Sequence, residues 1–318
     1  FTRSVNTLPP ASVARRRFGA LWPKPLLFKM VIISPKLKKR KKKAYVDVIE
    51  NIETETVEET YENAVDAYQL ASNNYMDGKT KKALEILNEA IKKHPDHRAL
   101  LTLRADVYAY IGEYQKAIED WDRMIELVPE GRDHILVLKS ELYINDKQYK
   151  EALEGLNEVL SKPQNPTIRL DALSLKAIAL YNLHFQEAGE EFADKELLKE
   201  EIETLEELRL VAKLDIIFLQ TLMSDYSILE DYKKAEEIAR EVLKKDSKND
   251  QALTLRLAYY SFTEKFKKAE EIEQEMKTYG INTEEIIMPD PEENQDEDPF
   301  YPYWKWKKNK DKKEKIES

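Results

Sequence analysis

The nearest approach to a set of metal ligands in this 318-residue chain is the stretch HPDH, which brings His94, Asp96 and His97 together. It does not suffice for a closed zinc site, because the whole sequence holds four histidines and no cysteine. Carboxylates are too abundant (61 Asp and Glu) for any pair of them to single out an acid–base site. The seven glycines stand apart from one another, so no loop can cradle a phosphate, and neither GxSxG nor HExxH occurs. The expectation is therefore a non-catalytic protein with no cofactor, no bound metal and no small-molecule substrate. What chemistry remains is electrostatic. Arg15, Arg16 and Arg17 form one basic group, and KLKKRKKK (Lys36, Lys38, Lys39, Arg40, Lys41, Lys42 and Lys43 around one leucine) forms a second. Side chains of this type at this density neutralise phosphates or other anions. Trp22 and Phe28 lie between the two groups, placed to stack on bases or to anchor in a partner.

Charge is divided sharply along the chain. Residues 1–45 hold thirteen Lys and Arg and no acid, which leaves 38 basic and all 61 acidic residues in 46–318, a net of −23. A basic segment joined to an acidic body points to an anionic partner for that segment. The absence of cysteine excludes disulfides and thiolate chemistry. PLLFKMVII, interrupted by Lys29, is far too short to cross a bilayer, which leaves room for peripheral membrane contact only.

The elements that must carry these features repeat. TKKALEILNEAIKKHP (80–95) aligns with YQKAIEDWDRMIELVP (114–129), and the pattern recurs in YKEALEGLNEVL, FQEAGEEF, YKKAEEIAREVL and FKKAEEIEQEM. Its marker alanines are Ala83, Ala117, Ala152, Ala188, Ala235 and Ala269, spaced 34, 35, 36, 47 and 34 apart. An aromatic residue opens most units (Tyr114, Tyr149, Phe185, Tyr232, Phe266), and a bulky residue such as Trp121 follows the alanine by one turn. The preceding segment supplies a small residue and an aromatic, as in Ala105 with Tyr108. Two helices crossing at the alanine, with Pro95 and Pro129 ending the second of them, account for this pattern.

Period and markers resemble the tetratricopeptide repeat. The resemblance implies an all-α, right-handed solenoid of five to six helical hairpins over 64–280. The spacing of 47 marks an insertion at 193–213, and extended N- and C-terminal arms flank the solenoid. Each hairpin has an apolar face that only a neighbouring repeat can cover, and the first helices line a concave surface suited to segments of other proteins. Members of the family that clamp chaperone C-termini do so with Lys, Asn and Arg on first helices. The matching positions here hold Tyr68, Ser72, Leu103, His134 and Leu138, which supply no such donors. In the final repeat Glu273 stands where a bulky apolar residue would meet a further neighbour, and is expected to form a solvated end cap.

The organisation expected is a basic extended arm (1–45), a linker or leading helix (46–63), the solenoid (64–280), an acidic linker (281–299) and an aromatic, basic tail (300–318). In that tail Phe300, Tyr301, Tyr303, Trp304 and Trp306 are five aromatics within seven residues. Left in water they would be costly, so they are expected to anchor in a partner's groove, with a return onto the solenoid as the alternative. The arm is Arg-rich and acid-free like a mitochondrial targeting segment, and Phe1 resembles the first residue left after such processing. These readings converge on a scaffold subunit of a large assembly on the matrix side of mitochondria: an accessory ribosomal protein whose arm meets rRNA and whose solenoid meets other protein subunits. A peripheral subunit or assembly factor of a respiratory complex or ATP synthase is the alternative, with the arm on membrane-bound subunits or anionic lipid such as cardiolipin.

Overall fold

The computed structural model describes residues 61–162, 165–188, 195–288 and 298–317. The described residues are helices and short turns, and they divide into two compact units, one ending at Leu197 and one beginning at Leu198.

The first unit contains three helical hairpins: α1 (Tyr61–Met76) with α2 (Thr80–Lys93), α3 (Arg98–Ile111) with α4 (Tyr114–Leu127), and α5 (Arg132–Asn145) with α6 (Tyr149–Leu160). The longer α7 (Pro166–Ala188) follows them. Helix α2 shows why the pairs form. Ala83, Leu87, Ala90 and Ile91 recur at helical spacing and are buried, while lysines cover the opposite face. Ala83, Ala117 and Ala152 are fully enclosed, as expected where helices cross too closely for a larger side chain. Leu87, Leu100, Ala105 and Trp121 share one core; Leu156, Ala172 and Leu180 share the next. Tight turns join the arms of each hairpin through one residue at positive φ: Gly78, Gly112 and, without the freedom of glycine, Lys147.

The second unit has the hairpins α9 (Ile216–Ile228) with α10 (Tyr232–Lys245) and α11 (Asp250–Phe262) with α12 (Phe266–Thr278). Their turns use Glu230 and Glu264 at positive φ. Ala235 and Ala269 are enclosed like their counterparts in the first unit. A one-turn helix, α13 (Thr283–Ile287), and a final helix, α14 (Tyr301–Glu317), complete this unit.

The expected fourth repeat is displaced. Phe185 and Ala188 do not open a second arm; they lie in the last turn of α7, which continues unbroken for 23 residues. The expected insertion at 193–213 contains a helix of its own, α8 (Lys195–Val211). Leu198, Ile202, Leu205 and Leu208 form its buried face. The C-terminal segment also differs from expectation. It is helical rather than extended, and Asp298 begins it by accepting the Phe300 N–H at 2.9 Å.

Candidate interaction surfaces

The aromatic tail has a groove within its own chain. Phe300 and Tyr303 sit in one core with Leu253, Leu257, Ala269, Ile272 and Met276 of α11 and α12. The ring of Trp306 stacks on Phe266 at 5.5 Å and on Tyr303 at 5.7 Å. The Tyr303 N–H donates to Ser261 Oγ at 3.1 Å. The expectation of a partner anchor is thus corrected for Phe300 and Tyr303: the apolar end of the final repeat is the surface they cover. Tyr301, Trp304 and Trp306 are half-buried beside them, with Tyr301 and Trp304 stacked on each other at 5.9 Å.

Glu273 is the polar centre of that closure, and the expected solvated cap is corrected with it. Its side chain is 1% exposed. It accepts from Tyr303 Oη at 2.7 Å, Lys307 Nζ at 2.5 Å and Thr283 Oγ1 at 3.3 Å, and pairs with Lys277 Nζ at 2.7 Å. Burial alone would raise this carboxyl, but the donors outweigh it and hold the group down to about 2. The Tyr303 phenol is raised by burial and by its bond to Glu273. A second link, Lys310 Nζ to Glu270 at 2.6 Å, fastens the next turn of α14.

Two further polar centres lie between helices. In the first unit Arg104 donates from Nε (2.9 Å) and Nη2 (2.6 Å) to the two oxygens of Asp120, and from Nη1 to Asn88 at 2.9 Å. In the second, the buried Glu236 accepts at Oε1 from Arg240 Nε (2.9 Å), Arg256 Nε (3.1 Å) and Tyr260 Oη (2.8 Å). Burial raises Glu236, and these three donors lower it further than burial raises it. Glu201 on α8 and Asp225 on α9 are different. Both are buried, and Glu201 Oε1 and Asp225 Oδ2 have no hydrogen-bond partner among the described residues. Burial raises both carboxyls well above their ordinary range, and the Asp225 charge raises Glu201 further. Sequence reasoning missed this pair because neither residue departs from the abundant acids around it.

The first unit exposes apolar side chains near the hairpin turns. Tyr110 is 72% exposed, packs edge-to-face on Tyr75 at 5.6 Å, and has exposed company in Met76 and Ile111. Such residues serve partner binding better than they serve folding. No three His, Asp or Glu converge into a metal site among the described residues. Asp96 of the HPDH stretch instead accepts from Arg123 Nη2 at 2.5 Å and Nε at 3.1 Å. Arg15, Arg16, Arg17, Trp22, Phe28 and the cations of Lys36–Lys43 lie outside the described residues, and the side chain of Ala188 is likewise not described. No helix among the described residues is long and apolar enough to cross a membrane.

Paired antiparallel helices, a recurring enclosed alanine and a sealed final hairpin define an α-helical repeat protein. The fold is that of the tetratricopeptide repeat, whose sequence model matches residues 66–97, from within α1 to just beyond α2. The chain is also similar to several solved structures. The C-terminal part of a TPR repeat-containing protein from Cytophaga hutchinsonii is 15% identical, with 69% of this chain and 83% of that one covered and a TM-score of 0.50. PilF of Pseudomonas aeruginosa is 15% identical over 79% of this chain and 99% of its own, with a TM-score of 0.48. MamA of Desulfovibrio magneticus RS-1 is 21% identical over 59% and 98%, with a TM-score of 0.47.

Proposed function

We propose that this chain is a non-catalytic interaction subunit of a large mitochondrial assembly, an accessory protein of the mitochondrial ribosome. The solenoid binds other protein subunits, and the basic N-terminal segment contacts rRNA. The observation that carries the reading is the division of charge: thirteen basic and no acidic residues in 1–45, against a net of −23 in the rest. A body of that sign is repelled by nucleic acid, so an anionic partner is assigned to the arm alone. Exposed Tyr110, Met76 and Ile111 support the protein-binding half of the reading.

Ultraviolet crosslinking of the native protein in lysed organelles tests it. RNA adducts should map to residues 15–43. In vitro, affinity for an RNA fragment should fall with log salt by roughly 0.7–0.9 log units per phosphate neutralised. Absence of RNA adducts, with co-fractionation in detergent alongside a respiratory complex or ATP synthase, would replace the ribosome with the membrane assembly.

A further inference from the structure

The Arg104 and Glu236 centres occupy the same place in two repeats, and comparing them shows what one of them lacks. Arg104, Tyr108 and Lys116 stand in the same helix positions as Arg256, Tyr260 and Lys268, each pair 152 residues apart, as are the enclosed Ala117 and Ala269. The geometry is reproduced. Tyr108 lies under Arg104 and Lys116 at 5.9 and 5.5 Å; Tyr260 lies under Arg256 and Lys268 at 5.7 and 5.4 Å. Both arginine side chains are 21% exposed. The acid differs. In the first unit Asp120 takes both forks of Arg104 and Asn88 takes the remaining nitrogen. In the second unit Ile272 stands at the position of Asp120, and Arg240 at that of Asn88. The acid has moved to Glu236, one turn before Arg240, and reaches only Nε of Arg256. Arg256 Nη1 and Nη2 have no acceptor, and Lys268 has no ion-pair partner, among the described residues. Over them opens a groove of about 270 Å³ lined by Arg240, Arg256, Tyr260, Lys268, Glu271 and Ile272.

We infer that this groove binds a carboxylate supplied by an acidic side chain of a partner protein, in the role that Asp120 fills from within the chain in the earlier repeat. Arg256 is held in place by Glu236 and by the Tyr260 ring, so its outer edge is preorganised for a two-pronged bond. Lys268 closes the site from α12, fixed over the same ring. The lining Glu271 makes a singly charged carboxylate a better fit than a phosphate dianion or a nucleic-acid backbone. The position lies between second-arm helices and one first-arm helix, apart from the first-helix positions compared above with the chaperone clamp. The inference rests on the interaction-scaffold reading and on no compartment, so a failed titration would remove the site and leave the ribosomal proposal standing.

The test is titration of the full chain, with its arginine side-chain N–H signals followed by NMR, using acetyl-aspartate N-methylamide as probe and the asparagine analogue as control. The aspartate compound should shift the Arg256 Nε–H signal saturably at millimolar concentration; the asparagine compound should not. Lys268→Glu should weaken binding about tenfold, whereas Lys267→Glu, the same charge change on the adjacent exposed residue, should alter it about twofold or less. Unchanged tryptophan emission certifies that both variants are folded. No saturable shift, an equal shift with the asparagine compound, equal loss in the two variants, or tighter binding of methyl phosphate would each overturn the assignment.

Discussion

Replacing Glu273 by Gln removes one charge from the centre of the C-terminal closure while keeping its shape. The carboxyl titrates at about 2 in the folded chain, against an ordinary value of 4.5. The folded state therefore binds fewer protons than the unfolded state between these values, so the contribution is complete above the unfolded value and disappears as pH falls through the folded one. With about 1.36 kcal/mol per pH unit, the difference amounts to about 3.4 kcal/mol at pH 7 and about 1.4 kcal/mol at pH 3. The side chain is 1% exposed, so solvent screening takes little from this figure. Trp304 and Trp306 lie on α14 beside the group, and their emission reports the undocking of that helix. Urea unfolding followed by tryptophan fluorescence should show Glu273→Gln less stable than the parent by about 3 kcal/mol at pH 7, with the gap roughly halved at pH 3. A gap independent of pH, or a variant as stable as the parent at pH 7, would refute the argument.

Other perturbations have definite outcomes. Phe300→Ala empties a fully enclosed site and should cost about 3–5 kcal/mol, visible as faster amide exchange in α12 and α14 than in α2 and α4. Lys147→Gly and Glu264→Gly each relieve a positive φ and should raise stability by about 0.5–1 kcal/mol in chemical denaturation. Asp225 and Glu201 are protonated more readily when folded, so their contribution is full below about pH 4 and lost as pH rises through their elevated folded values. Asp225→Asn should accordingly stabilise the second unit on the alkaline side, by about 1–3 kcal/mol, with the advantage absent near pH 4 in thermal unfolding. Tyr110→Ala should change stability by less than about 0.5 kcal/mol yet reduce recovery of protein partners in affinity purification.

Five of the hairpins were legible because their markers are local. An enclosed alanine and a turn residue recur at 34 or 35 residues in the regular units, and an aromatic stands three residues before the alanine in four of the five. The fourth was not: Phe185 and Ala188 carry the right residue types, but α7 runs on through them without the break a second arm would need. The C-terminal closure was visible only in halves. Glu273 at an apolar position and the aromatic run at 300–306 each stood out, but their pairing spans 30 residues of sequence and depends on a helix beginning at Asp298. Tyr303 and Lys307, four apart and on one face of that helix, were the signal that would have joined them. The Arg256 groove required a comparison of repeats at the level of individual donors, which spacing alone does not provide.

We propose that an acidic repeat scaffold is held to a ribosome by its basic arm. Sedimentation of the endogenous protein from lysed mitochondria through a sucrose gradient tests it most directly, repeated with the arginines and lysines of 15–17 and 36–43 replaced by glutamine. Co-migration with a ribosomal subunit is expected, lost in the substituted protein while the solenoid remains folded. Migration apart from ribosomal subunits, or co-migration that survives the substitution unchanged, would contradict it.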